Sequence, residues 1–571
     1  MENTNSRNAL LHLVILATVC ALVFMLFLGK SPFHDKAEPR EALVVRDIVL
    51  EGRWLFPLKS GEQIPSKPPL FHWFAAMASI LRGEMTESSI RFPSALFASL
   101  GVLLCYLFGR RLYDSETGLW AGLILATTAL YYTSGIEARV DMALAFFVAV
   151  SLMLFYSLYR GFLRHQAWWY LFFFIVGVGV TAKGPVSVIL CGLVITTFLV
   201  LQKRWDVLVA LLRHPGIVVG IVVCFAWYGV ALYLGGNEFF GIQFVKENFA
   251  RFFVRGEGGT GHQKPVYYFI PYLFTLGMPW TLFLPAVIWS YFQKAEYRKD
   301  EMLFLGVWAV GIFVFFSLSA GKRPPYILPL YLPLALMTAV WLRRQAVVSV
   351  GKSYCKFVCV LACIIGLVFV IAFAAHWARL DLAALLESLG IPLETDVAAE
   401  LSALSAVLHQ PGWLIPTVLL ASAVLWFSIG RNFYQCNVAS AVKQMVSVSV
   451  LTIVFMHGVI FPRLAMTGSY KEFMQLALEK VASSQSLVLF PRAIDSSSII
   501  FYGKDKISIL PDDPVLLRER LRQSRDFFIV EEDMWGSETA GLASKIPIIG
   551  RSRGAGPYGD ARLILVRGQG Q

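Results

Sequence analysis

The chain has 571 residues, 57% of them hydrophobic and only 15% charged, with mean hydropathy +0.63. A soluble domain averages about 45–50% apolar and about 25% charged, so this composition excludes an ordinary soluble protein and leaves room for about a dozen bilayer spans of roughly 20 residues. The net charge of +12 collects between apolar runs, as Lys and Arg do in cytoplasmic loops, and this distribution excludes nucleic acid as a partner.

The first apolar run, 9–29, follows Arg7. Its length, and the lack of a small-x-small site before Lys30, point to a retained first span rather than a cleaved signal peptide. Residues 30–90 come next. They are polar and read as a loop, carrying Asp35, Glu38, Arg40, Glu41, Arg46, Asp47, Lys59, Glu62 and Lys67. Charged chain wedged between hydrophobic spans is the first candidate for a catalytic loop.

Twelve further spans are expected near 91–108, 117–134, 142–159, 167–182, 185–201, 216–234, 267–290, 302–319, 327–341, 356–375, 413–430 and 444–461. With the N-terminus inside, the inner loops carry Arg110 and Arg111, Arg160 and Arg164, Lys203 and Arg204, Lys294, Arg298 and Lys299, Arg343 and Arg344, Lys352 and Lys356, then Arg431 and Lys443. That alternation supports the topology and places the C-terminus outside. Several outer segments break the trend: Lys67, Lys183 in a Lys-Gly-Pro turn, Arg251, Arg255 and Lys264, and Lys322-Arg323. Cations that topology does not ask for, set in Gly/Pro-rich turns, point to an anionic ligand at the outer face. The stretch Leu380–Leu389 is amphipathic and is expected on the membrane surface.

From about 466 the composition shifts. Runs at Ser486–Phe490, Ser498–Tyr502, Ile507–Leu510, Asp526–Val530 and Arg562–Val566 read as strands, with a polar helix at Asp513–Gln523. This predicts a small α/β domain over 466–571, outside the membrane and accessory to a membrane domain over 1–465. Gly554-Ala-Gly556 is a lone loop signal, with no phosphate-binding fingerprint around it. The eight cysteines lie mostly in or beside apolar runs without CxxC spacing, which implies packing rather than a disulfide framework.

Acidic residues stand where spans meet the outer face: Asp35 and Glu38 after the first, and Asp141 at the start of the fourth, after Glu137 and Arg139. An ionisable residue there is an interfacial anchor or part of a site. Carboxylates from two loops, with Lys67 and Arg40 beside one, favour a site. The set suits glycosyl transfer from a lipid phosphate. A carboxylate takes a proton from an acceptor hydroxyl, and cations stabilise the departing phosphate. Lys67 and Arg323 are the expected stabilisers, with Arg40 and Lys322 as helpers. Tyr326, in Gly321-Lys-Arg-Pro-Pro-Tyr326, stands out among the interfacial aromatics as a candidate sugar contact. A divalent metal, chiefly through His262 and less through His34 or His72, is an open alternative without a supporting HxxxH spacing.

The run Ala37-Glu-Pro-Arg-Glu-Ala42, Gly52-Arg-Trp54 and Ser66-Lys-Pro-Pro-Leu-Phe-His-Trp73 resembles the first outer loop of the GT-C-type integral-membrane glycosyltransferases. That group includes the aminoarabinose–lipid A transferases and the protein O-mannosyltransferases. Glu247-Asn-Phe-x-Arg251, His262, Pro279-Trp280 and Tyr326-Ile-Leu-Pro329 resemble later outer segments of the same group. The resemblance covers essentially the whole chain. It implies about thirteen spans in a GT-C-like helical fold with a small C-terminal α/β domain, a polyprenyl-phosphate sugar donor, and a lipid A-like glycolipid acceptor, or alternatively a protein. It also implies a bacterial inner membrane location, with the N-terminus cytoplasmic and the C-terminal domain periplasmic. By position, Lys67 resembles the family lysine that meets the donor phosphate, Asp141 the acidic residue of the second outer loop, and Glu38 the second member of an Asp-Glu pair. The first member falls on Ala37, so Asp35 and Glu38 both stand as candidates for its role. Arg251 belongs with the phosphate-binding set. The competing class is a flippase for a lipid-linked saccharide, which predicts charges in mid-span; here they sit mostly at span ends.

Overall fold

The computed structural model describes residues 2–33, 35–61, 63–255, 262–293, 299–345, 351–393, 395–481, 486–490, 495–539, 541–553 and 561–570. His34, Glu62, Lys294, Arg298 and the Gly554-Ala-Gly556 signal lie outside them.

All thirteen expected spans fall on helices. Nine helices among the described residues are long and apolar enough to cross a bilayer: Arg7–Met25, Glu87–Leu112, Val140–Tyr159, Gly216–Phe253, Asp300–Leu318, Pro324–Arg344, Lys352–Ala378, Leu414–Tyr434 and Val438–Gly468. The expected fifth and sixth spans are the shorter helices Ala167–Lys183 and Val186–Leu201. Gly184 separates them at φ +93°, where a Cβ would stand 3.2 Å from Asn248 Oδ1 and 3.3 Å from the Tyr228 hydroxyl.

The other two spans are broken. Ser115–Ala126 meets Ala129–Ile136 at 63°, and Val266–Leu276 meets Trp280–Gln293 at 108°. The breaks satisfy one another. Trp280 Nε1 donates to Thr127 Oγ1 at 2.9 Å, and Ala129 N–H donates to Met278 O at 3.2 Å. Irregular backbone inside a membrane protein persists only where it finds such partners.

The polar segment 30–90 is not the loop that its composition suggested. It holds two helices, Ala37–Glu51 and Leu70–Arg82, each stopped by a left-handed glycine, Gly52 at φ 68° and Gly83 at φ 81°. Charge masked their amphipathicity. Ala42, Leu43, Val45 and Ile48 of the first, with Phe71, Ala75 and Ala76 of the second, are fully buried against the C-terminal domain.

That domain is built on a five-stranded sheet in the order β2-β1-β3-β5-β4: β1 Leu487–Leu489, β2 Ile507–Ile509, β3 Phe527–Glu531, β4 Ile548–Arg551 and β5 Leu563–Arg567. β1 runs parallel to β2 and β3; β5 runs antiparallel to β3 and β4. Successive side chains alternate between faces. Phe527, Ile529, Leu563 and Leu565 join the core shared with the helices of 30–90, while Phe528, Val530, Ile564 and Val566 pack against Leu517, Leu521 and Trp535 on the other face. The sheet therefore sits on the same end of the helical bundle as residues 30–90.

Two expectations fail here. Ser498–Tyr502 is not a strand; it lies in the helix Ser497–Gly503. Its Ile-Ile-Phe-Tyr run is strand-like locally, but Asp495 accepts the Ser497 N–H at 3.1 Å, and the helix packs on Ala37–Glu51. β4 was missed, because only partial burial marks it. The Leu380–Leu389 stretch contains the helix Leu382–Ser388, started by Asp381, which accepts from Ala383 N at 2.9 Å.

Candidate active site

A series of charged contacts runs across one end of the bundle. Lys67 Nζ donates to Glu247 Oε2 at 2.5 Å. Glu247 also holds Arg251, one helical turn on, at 3.0 Å. Arg251 Nη1 reaches the Tyr326 hydroxyl at 3.3 Å, and the Tyr326 ring lies 4.3 Å below Lys183 Nζ. Lys183 pairs with Asp141. Arg139, two residues before Asp141, pairs with Asp35 and lies 2.9 Å from Glu137. Each segment between spans contributes for a local reason. Lys67 sits in the Pro-rich stretch before Leu70–Arg82, Asp141 in the first turn of its helix, and Lys183 at the Gly184 break. Glu247 and Arg251 ride the wide-turned segment Gly241–Ala250 and its continuation.

Every member except Glu137 has a side chain at most 22% exposed, and Glu137 reaches only 30%. Burying charges is costly unless they are paired, and here each is held by a counter-ion that a ligand can replace. Burial is the main force on Lys67. It lowers the ammonium from its ordinary value to about 8; Arg251 and Lys183 push the same way, and Glu247 opposes them.

Asp35 has a second anchor. Its Oδ1 accepts the backbone N–H groups of Ala37 at 3.0 Å and Glu38 at 2.9 Å, at the start of the helix Ala37–Glu51. The structure thus brings Asp35, Asp141, Lys67, Arg251 and Tyr326 into one cluster.

The remaining expected site residues go elsewhere. Glu38 is fully buried and saturated: Arg91 grips both its oxygens at 2.7 Å, and Ala138 N–H adds a bond of 2.9 Å. Its counter-ion is the buried Arg91, whereas that of Asp35 is the partly exposed Arg139. Arg40 points away, to Asp495 of the C-terminal domain, with a 2.8 Å bond from Nε. Lys322 is buried and spends its ammonium on backbone carbonyls, Lys264 O at 2.9 Å and Ser319 O. It ties the loop after Asp300–Leu318 to residue 264. Arg323 contacts His262 rather than the cluster.

Among the described residues the expected metal ligands do not come together. His262 faces cations, and burial together with Arg323 and Arg251 lowers its basicity. The Nε2 of His72 is taken by Glu41 at 2.6 Å. Among the described residues no three His, Cys, Asp or Glu side chains converge.

Sequence reasoning left Lys183, Glu247, Arg139 and Arg91 off the list of site residues. Lys183 carried a signal as an outer cation beside Gly-Pro, and Glu247 one as an i,i+4 partner of Arg251. Arg91 carried none, since an arginine at the start of a span reads as an interfacial anchor.

The sequence profile of the dolichyl-phosphate-mannose-protein mannosyltransferase family matches residues 66–229. The chain is 30% identical over 369 residues to the undecaprenyl phosphate-alpha-4-amino-4-deoxy-L-arabinose arabinosyl transferase 2 of Pseudomonas fluorescens, covering 63% of this chain and 65% of that one. It is 31% identical over 326 residues to the corresponding transferase of Pseudomonas aeruginosa, covering 57% of this chain and 58% of that one. The matches therefore span less than two thirds of these relatives' lengths. The fold matches ArnT from Cupriavidus metallidurans bound to undecaprenyl phosphate with a TM-score of 0.75, at 17% identity and over 97% of both chains. The chain is a multi-pass membrane protein with that fold, and its resemblance to the GT-C glycosyltransferases extends from sequence to structure.

Proposed function

We propose that this protein is a membrane glycosyltransferase. It takes a sugar from an undecaprenyl-phosphate-type donor and passes it to a lipid A-like glycolipid at the outer face of a bacterial plasma membrane. The N-terminus is cytoplasmic and the domain 466–571 periplasmic. The observation that carries this reading is the convergence of Lys67, Lys183 and Arg251 with Asp35 and Asp141 at one end of the bundle. The named activities of the similar transferases support the choice of donor.

The chemistry follows from the groups present. An acceptor oxygen attacks the anomeric carbon, and the bond from that carbon to the phosphate oxygen breaks. The polyprenyl phosphate leaves with the electron pair, and the new charge falls to Lys67 and Arg251. The donor phosphate displaces Glu247 as their partner. Asp35 accepts the proton when the acceptor is a hydroxyl, with Arg139 fixing its orientation. Lys183 holds Asp141 ionised beside the sugar, and Tyr326 closes the wall between the two halves of the cluster.

The test is turnover of radiolabelled undecaprenyl-phosphate sugars by the protein in lipid, with lipid A and envelope proteins as acceptors. Label reaching lipid A, and failing to do so with Lys67→Ala, supports the reading. Label reaching protein moves the acceptor to a polypeptide. Donor that crosses the bilayer with its sugar intact replaces the transferase with a flippase.

A further inference from the structure

The C-terminal domain carries a residue placed to fix the reacting segment from outside the membrane. Tyr502 lies in the helix Ser497–Gly503, which packs on Ala37–Glu51. Its hydroxyl accepts the Phe33 backbone N–H at 2.9 Å and donates to Glu87 Oε1 at 3.1 Å. Lys471, also from the tail, lands on the same Glu87 oxygen at 2.5 Å. The Phe33 ring sits between Phe501 (5.0 Å between ring centres) and the Arg91 guanidinium at 5.2 Å.

The polypeptide leading to Asp35 is therefore gripped from two sides. From the bundle, Arg91 donates to the carbonyls of Leu28 at 3.1 Å, Ser31 at 2.7 Å and Pro32 at 3.3 Å. From the tail, Tyr502 takes the next free donor, at Phe33. Burial and the neighbouring Glu87 carboxylate raise the phenol well above its ordinary value, so it stays protonated and keeps both bonds. Arg40 on Asp495 and Arg46 on Asp505 at 3.2 Å pin the following helix to the same domain.

We propose that Tyr502 is a positioning residue of the active site, setting Asp35 through the Phe33 amide, so that the C-terminal domain is a working part of the transferase rather than an appendage. This rests on Asp35 being the reacting carboxylate. A group held within about half an ångström of productive geometry needs such support, and a small displacement costs catalysis far more than binding.

The experiment uses the full-length chain in lipid nanodiscs. Tyr502→Phe keeps the ring against Phe33 and removes only the hydroxyl. Amide exchange in the peptide 31–38 is expected to speed up by about tenfold, with the rest of the chain unchanged. Turnover of an undecaprenyl-phosphate sugar panel that includes 4-amino-4-deoxy-L-arabinose is expected to lose about tenfold in kcat at unchanged donor KM. The unfolding temperature should stay within about 2 °C of the parent protein. Parent-like kcat and exchange in Tyr502→Phe overturn the proposal. So does a rate loss matched by an equal loss of folded protein, which makes Tyr502 a stability residue only. Asp35→Asn in the same assay separates the two readings. Full activity there removes Asp35 from the chemistry, whereas a dead Asp35→Asn beside a fully active Tyr502→Phe removes Tyr502 alone. If no donor turns over, the transferase reading falls and the exchange result still decides whether Tyr502 fastens the segment.

Discussion

Two buried ion pairs each take one member from the segment 30–90 and behave as opposites. Glu38 and Arg91 are 0% and 3% exposed, joined by two parallel bonds of 2.7 Å, with the remaining donors of Arg91 spent on three carbonyls. Lys67 and Glu247 are 13% and 9% exposed, joined by one bond, and Glu247 is shared with Arg251. The first pair has no capacity left for a ligand. The second is held by a counter-ion that a phosphate can replace. How fully the cation is spent, more than charge or burial, separates a structural pair from a site pair.

The largest effect should come from damaging the saturated pair. Arg91→Met removes the guanidinium that grips both Glu38 oxygens in the interior, which costs about 3–5 kcal/mol. Detergent-solubilised protein should unfold at a lower temperature or fail to accumulate, and a parent-like melting profile would contradict the clamp. Lys67→Met should do the reverse. Glu247 keeps Arg251 as a partner, so stability should move by under about 1 kcal/mol, while loss of one phosphate-stabilising cation should lower kcat/KM by about 10²–10³. Thermal unfolding and donor turnover on the same preparation check both statements. A Lys67→Met protein that unfolds early and works normally would invert the contrast.

The same distinction explains what the sequence could and could not disclose. The spans were readable because about 20 apolar residues is a one-dimensional signal. Lys67 and Arg251 were readable because they break a one-dimensional trend, charge where topology asks for none, and Asp141 because it is an acidic residue at a span end. Lys322 and Arg323 broke the same trend and Arg40 stood beside the carboxylates, yet their partners are backbone carbonyls, His262 and Asp495. Which group a cation meets depends on tertiary contacts, from 58 residues away for Lys322 and Lys264 to 455 for Arg40 and Asp495. The helices Ala37–Glu51 and Leu70–Arg82 were hidden for a related reason: their apolar faces are complete only against a sheet some 450 residues later in the chain. Ser498–Tyr502 was misread because local strand propensity lost to the Asp495 bond to the Ser497 N–H and to that same packing. The lock between Thr127 and Trp280 pairs two breaks that are each invisible to hydropathy.

Acidity gives a smaller effect with a definite sign. Burial lowers Lys67 to about 8 in the free protein. A bound donor phosphate adds negative charge beside it and raises that value in the complex. Donor affinity that depends on Lys67 is therefore fully present below pH 8. As pH rises through 8 the free protein loses the proton that the complex keeps, so affinity declines by up to about tenfold per pH unit. Donor KM measured from pH 6.5 to 9.5 should rise above pH 8, and Lys67→Arg, which stays charged, should flatten the rise.

Arg40→Ala should have the smallest effect, and it is informative for that reason. By sequence Arg40 sits beside Glu38 in the segment most similar to the transferases, and a phosphate-binding role predicts a large loss of turnover. By structure its side chain is 51% exposed and pairs with Asp495 across the domain contact. An exposed pair of this kind contributes about 0.2–1 kcal/mol, less at high salt. Donor KM should be unchanged and the unfolding temperature should fall by a degree or two at most, as expected for so small a ΔΔG in a chain of this size. The loss should fade in high salt, because screening removes what the pair supplied. A rise in donor KM without loss of stability would return Arg40 to the phosphate site and show that saturation by a protein carboxylate is a poor guide to which cations the donor recruits.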